Sequence, residues 1–138
     1  MERPRSTFHI SLKLFSILRI PSISAKQENK QDMVRCADRL KELLLEAGAD
    51  MAQVMPTSGN PVVFGHKMID PSFKTVLVYG HYDVQPPEPL EKWHTDPFEP
   101  VIHDDAIWCR GANDDKGQLF MHIKAFEYMV RTGQLKHN

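Results

Sequence analysis

Long uncharged apolar runs are missing from this chain. No stretch of it could cross a bilayer as a helix, which takes about 20 consecutive apolar residues. An excess of one charge is missing too: 17 Lys and Arg stand against 18 Asp and Glu, a net charge of −1. That balance excludes the basic stripe with which proteins grip nucleic-acid phosphates or an anionic membrane surface. Cysteine is scarce. Cys36 and Cys109 lie far apart and form no CxxC pair. A secreted chain of this size could join them in one disulfide, but two buried thiols in a reducing cytoplasm are the expectation. Repeats, low-complexity tracts and interdomain linkers are absent as well.

What is present is the composition of one globular domain. With 138 residues, of which 41% are hydrophobic, the chain can bury a real core. The segment from Met1 to Ala25 imitates a leader peptide, with Arg3 and Arg5 ahead of an apolar stretch and a Ser-Ile-Ser-Ala end. Lys13 and Arg19 interrupt the apolar run, so it never becomes the uncharged core of a secretory signal. Leu14, Ile17 and Leu18 have helical spacing and Pro21 stops it, which predicts an ordinary first helix. A second helix is expected from Lys30 to Ala47, where Met33, Ala37, Leu40, Leu44 and Ala47 share a face and Gly48 suits a left-handed cap. A third is expected from Lys116 to Thr132, on Leu119, Ile123, Phe126 and Val130, closed by Gly133.

Between these helices the pattern reads as short strands. Pro61 to Lys67 and Thr75 to His81 flank an Asp70-Pro71 turn. The run Thr75-Val76-Leu77-Val78-Tyr79 is almost continuously apolar, as in a strand covered on both faces. Val101-Ile102 and Ala106-Ile107-Trp108 form a hairpin around His103-Asp104-Asp105, and Gln85 to Leu90 is a proline-rich surface loop. The fold class is α/β, with one core.

Two segments depart from plain core design. Tyr79-Gly80-His81-Tyr82-Asp83 ends an apolar strand with an imidazole and a carboxylate two positions apart. On an extended backbone these point to the same side. Asp83 can then approach the ring of His81 and fix its tautomer, as carboxylates do behind metal-bound histidines. The same pair could also simply satisfy a strand end. The second segment is Arg110-Gly111-Ala112-Asn113-Asp114-Asp115-Lys116-Gly117. One of its aspartates can cap the following helix. A carboxylate there can equally ligate a metal or bridge two ions, and both roles can coexist.

Together the segments are far more specific. Leu77-Val78-Tyr79-Gly80-His81-Tyr82-Asp83-Val84-Gln85-Pro86, then Trp93, Asp96-Pro97-Phe98-Glu99-Pro100 and Arg110 to Gly117, closely resemble the di-zinc metallopeptidases. That family includes carnosine-type cytosolic dipeptidases, aminoacylases and acetylornithine deacetylases. Arg19-Ile20-Pro21-Ser22-Ile23-Ser24 resembles the exit of the family's first helix, and the dipeptidase branch fits best. The resemblance implies His81 as a terminal ligand of one metal and Asp83 as the carboxylate behind it, the one candidate catalytic residue. It implies Asp114 as a ligand bridging both metals, with a cis peptide bond to Asp115. The implied cofactor is zinc, two ions in the complete site, with manganese or cobalt as alternatives. The implied reaction is hydrolysis of the amide bond of a short peptide or N-acyl amino acid by a water activated between the ions. A cytoplasmic enzyme is expected, with no nucleic-acid or membrane partner.

Residues 1–138 are expected to be the N-terminal portion of one catalytic domain, an incomplete, mostly parallel sheet flanked by helices. The family's lid or dimerisation domain, often the seat of homodimers, is expected to be absent. The family site also needs a Glu-Glu pair, a further acidic ligand and a late histidine, and the chain has no adjacent glutamates. The chain alone is therefore expected to be inactive. The alternative is a non-catalytic fragment acting as a binding or interaction module. Cys109 stands where many relatives have glycine, and Asn113 where small residues or threonine are usual. A packing thiol is expected at Cys109. His66, His94, His103 and His122 are assigned to no metal, and Trp93 and Phe98 are expected to anchor the loop after His81.

Overall fold

The computed structural model describes residues 5–138, and of 5–11 the backbone alone. Met1 to Pro4, with Arg3 of the leader-like segment, lie outside the described residues. The expected first helix is α1, Arg5–Leu18. Its Ile17 and Leu18 are fully buried, so the C-terminal turn of α1 is a core element. None of the described helices is long and apolar enough to cross a membrane.

Helix α2 spans Lys30–Ala47 and ends at Gly48 with φ 105°, the left-handed cap that the glycine predicts. Its buried face is Met33, Cys36, Ala37, Leu40, Leu43 and Ala47. Leu44, expected on that face, sits at its margin and packs against the core from there. After the cap come β1 (Met51–Met55) and β2 (Val62–His66), an antiparallel pair with Val54 opposite Val63. Both pack on α2. The sequence reading missed β1, because five residues running straight out of a helix cap carry no alternation of their own.

The hairpin of β3 (Val101–His103) and β4 (Ala106–Trp108) is present as expected. Asp104 and Asp105 turn it with φ 50° and 58°, the double positive φ of the turn whose twist matches paired strands.

Thr75 to His81 departs from expectation. It forms no strand, and Leu77 and Tyr79 are 86% and 81% exposed. Both sheets among the described residues are antiparallel pairs, so the mostly parallel sheet is not among the ladders. One trace of it exists. Asn138 N donates to Lys74 O (2.9 Å) and Val76 N donates to Asn138 O (2.7 Å), the slanted pattern of parallel pairing. An apolar run alone cannot report whether neighbours cover it.

Helix α3, Lys116–Arg131, packs on α1 and α2. Its buried residues are Lys116, Phe120, Ile123 and Glu127. The face is rotated from the apolar one read in the sequence, with Leu119 and Phe126 only partly buried beside it, because its two ends are charged residues. Glu127 is tied to Lys124 and to Arg131 (2.6 Å). Burial pushes its carboxyl up, but those cations win and hold it below the usual range. Lys116 is fully buried. Its Nζ donates to Ile17 O (2.9 Å) and Ile20 O (2.6 Å), at the C-terminal end of α1. Burial pulls its pKa below the ordinary lysine value, while the carbonyl end of a helix is where a cation is best received.

Replacing Lys116 by alanine removes two charge-assisted bonds and leaves those carbonyls with their backbone donors alone, Ile20 N and Ser22 N. The expected loss is about 3 kcal/mol or more, read as a lower urea midpoint; an unshifted midpoint would mean that water satisfies them equally well. The exposed ribbon from Val76 to Tyr79 should drive self-association. Sedimentation velocity over a concentration series should show it, and Leu77→Lys with Tyr79→Lys should relieve it. A monomer at every concentration would count against that reading.

Candidate functional site

The three residues singled out in the sequence meet in space. His81 Nδ1 lies 3.0 Å from Asp83 Oδ1 and 3.2 Å from the Asp83 carbonyl oxygen. On the other side of the ring, Nε2 lies 3.2 Å from Asp114 Oδ1. Asp83 and Asp114 are thus brought to opposite edges of one imidazole.

Hydrogen-bond chemistry fixes the ring. Both groups facing Nδ1 are acceptors, so Nδ1 carries a proton and donates. Nε2 then faces a carboxylate oxygen, which is also an acceptor. That edge calls for a positive charge, either a second proton or a metal ion between nitrogen and oxygen. Burial pushes the His81 pKa down, but the Asp83 hydrogen bond and the charges of Asp83 and Asp115 outweigh it, and the net shift is upward. The side chains of His81 and Asp114 are 42% and 75% exposed, so an ion can reach both from solvent. An imidazole nitrogen and a carboxylate form a donor set suited to zinc, and manganese accepts it too.

The Asp114–Asp115 peptide bond is cis, as the resemblance implied. The two aspartates diverge in role. Asp115 occupies the N-cap position of α3, yet its side chain makes no capping bond. Instead its Oδ2 accepts from His81 N at 2.9 Å, so the capping reading holds for its place and not for its carboxylate. Sequence reasoning missed this contact, because nothing local says which of two adjacent acids turns back to a segment 34 residues earlier. Tight turns make room for it. A Cβ on Gly117 would lie 1.9 Å from Ala112 O, and one on Gly80 would meet Leu119 at 2.9 Å.

Sequence reasoning also missed the support behind Asp83. Ser24 Oγ donates to Asp83 Oδ2 at 2.5 Å. Buried Ser22 donates from Oγ to Tyr82 O (2.7 Å) and accepts at its carbonyl from Val84 N (2.9 Å). The Ser22 to Ser24 segment therefore grips the backbone on both sides of Asp83.

The remaining candidates fall outside this cluster. Trp93 anchors the loop after His81 as expected: its Nε1 donates to Pro87 O (2.7 Å) and the Arg110 guanidinium lies 5.2 Å over its ring. Phe98 is half-buried. His66 packs on Phe64, and His122 is exposed on α3. His94 and His103 flank Trp108 beside a cavity of about 410 Å³ lined also by Thr95, Val101 and Asp104. His103 does face a carboxylate, Asp104 Oδ2 at 3.2 Å, in the exposed hairpin turn. Among the described residues, no group of three or more His, Cys, Asp or Glu is placed to hold a metal.

The model of Peptidase family M20/M25/M40 matches residues 77–138, the part that holds His81, Asp83 and Asp114. The chain is 36% identical over 127 residues to the Cys-Gly metallodipeptidase dug1 of Schizosaccharomyces pombe, covering 83% of this chain and 26% of the relative. Among solved structures, the dipeptidase Dug1p of Saccharomyces cerevisiae superposes with a TM-score of 0.82 at 30% identity, over 94% of this chain and 30% of that one. The metallo-carboxypeptidase Sso-CP2 of Sulfolobus solfataricus does so with a TM-score of 0.82 at 35% identity, over 93% and 28%. The chain thus spans about a quarter of the length of the dug1 relative.

Both cysteines are free and buried. Burial pushes the Cys109 thiol up to about 11 and raises Cys36 as well. Cys109 Sγ lies 3.2 Å from Pro97 O, a packing position far from thiolate chemistry. Iodoacetamide at neutral pH should therefore leave both thiols unmodified in the folded protein and label both in denaturant, read by mass spectrometry. Rapid native labelling of Cys109 would contradict this.

Proposed function

We propose that residues 77–138, which match Peptidase family M20/M25/M40, form one side of the metal site of a dipeptidase-type hydrolase. The observation that carries the reading is the His81 ring, with Nδ1 committed to Asp83 and Nε2 turned to Asp114. In this reading His81 and Asp114 hold the ion, and Asp114 has a second oxygen with which to bridge to another. A divalent ion, zinc first and manganese or cobalt otherwise, supplies Lewis acidity toward an amide carbonyl and lowers the pKa of water. Asp83 keeps the imidazole in the tautomer that offers Nε2. Asp115 fixes the height of the ring by holding His81 N.

The substrate class proposed is short peptides, dipeptides foremost, in line with the relative named for Cys-Gly hydrolysis. A reducing compartment, the cytoplasm, suits two free thiols. The 138 residues on their own bind metal without turnover in this reading, because a catalytic zinc typically takes about three protein ligands and a water. That observation also keeps the binding-module alternative in view, since the described residues place no third ligand.

Two measurements on the 138-residue protein test the reading. Mn²⁺ should broaden amide resonances around His81 and Asp114, and His81→Ala or Asp114→Asn should each weaken the effect about tenfold or more. Broadening that ignores both substitutions would sink the assignment. Cys-Gly hydrolysis with added zinc should not exceed that of zinc alone. Turnover that vanishes in His81→Ala would show that these residues suffice.

A further inference from the structure

Asp83 is held from behind by a segment that no family motif or local pattern singled out as part of the site. We propose that Ser24 is a positioning residue for the His81–Asp83 pair: its hydroxyl locks the Asp83 carboxylate so that Oδ1 faces His81 Nδ1, which holds the ring with Nε2 open toward Asp114. The inference deepens the proposed metal site and rests on that reading for its purpose, though not for its geometry.

A carboxylate on a two-bond side chain can rotate, and either oxygen can face the ring. Ser24 Oγ donates to Oδ2 at 2.5 Å, while Oδ1 lies 3.0 Å from Nδ1. Each oxygen thus has one distinct partner, and rotation breaks both bonds. A hydroxyl donor can hold an ionised carboxylate in this way without competing for the proton on Nδ1. The serine is itself placed. Ser22, two residues before it, is fully buried and bonded to the residues on either side of Asp83. Ile23 between them is buried as well. Upstream, the Ile20 carbonyl is held by Lys116, so the stretch leading into Ser24 is fixed. Ser24 itself is exposed. No packing demand explains a hydroxyl there, and its removal leaves the core untouched.

The decisive measurement is the imidazole tautomer of His81 by long-range ¹H–¹⁵N correlation, at a pH where the ring is neutral. Wild type should show the Nδ1–H form alone. Ser24→Ala should give a mixture of tautomers with an unchanged thermal midpoint, and Ser24→Thr, which keeps the hydroxyl, should restore the single form. Mn²⁺ affinity at His81 should fall about tenfold in Ser24→Ala, at the low end of losses seen when groups behind a metal ligand are removed. A single Nδ1–H tautomer in Ser24→Ala would overturn the proposal, as would a mixture in Ser24→Thr equal to that in the alanine variant. If Mn²⁺ does not localise at His81 in wild type, the metal-site reading fails, and the tautomer measurement still decides the role of Ser24.

Discussion

A fully buried ammonium is the constraint around which this molecule is arranged. Lys116 opens α3, yet its charge lies inside the fold, on the carbonyls of Ile17 and Ile20. An unpaired buried charge costs several kcal/mol, so α1 must end where those carbonyls are. Fixing the end of α1 fixes the chain that leaves it, and hence Ser22 and Ser24. The residues just before Lys116 are Asp114 and Asp115, whose carboxylates sit against the ring and the backbone of His81. One lysine thereby sets the spacing between the two halves of the site.

The site combines fixed and open polar groups. Nδ1 of His81, the His81 amide and both oxygens of Asp83 have partners within the chain. Nε2 and Asp114 face one another at the solvent boundary. Rigid support behind and an exposed donor pair in front is the layout by which proteins prepare a metal ligand before the ion arrives. Cys109, chemically the most tempting neighbour in the sequence, is kept out of this by burial and a raised pKa.

Much of the fold was legible where the information is local. The α2 boundaries, the Gly48 cap and the β3–β4 hairpin follow from periodicity and turn chemistry. His81, Asp83 and Asp114 were legible because motif context supplied what spacing alone could not. Apart from β1, whose five residues carry no alternation of their own, the failures are non-local. Lys116 and Glu127 count as polar in any periodicity, so the buried face of α3 was placed one step away from its true centre. Thr75 to Tyr79 is apolar enough for a covered strand, but coverage depends on neighbours, and here its side chains lie open. Ser24 was read only as part of a helix exit, because its partner lies 59 residues further on.

That separation bears on the order in which the molecule assembles. The Ser24–Asp83 and Ile17–Lys116 bonds join residues 59 and 99 apart in the chain, whereas α2 and the β3–β4 hairpin are closed by near neighbours. Contacts between distant residues must first pay loop-closure entropy, so local elements form in microseconds and remote pairings follow. Apart from the His81–Asp83 pair, two residues apart, the contacts of the site are of the second kind. Its geometry is therefore a late product of folding, and a half-folded chain would carry the ligands without the alignment that makes them a site.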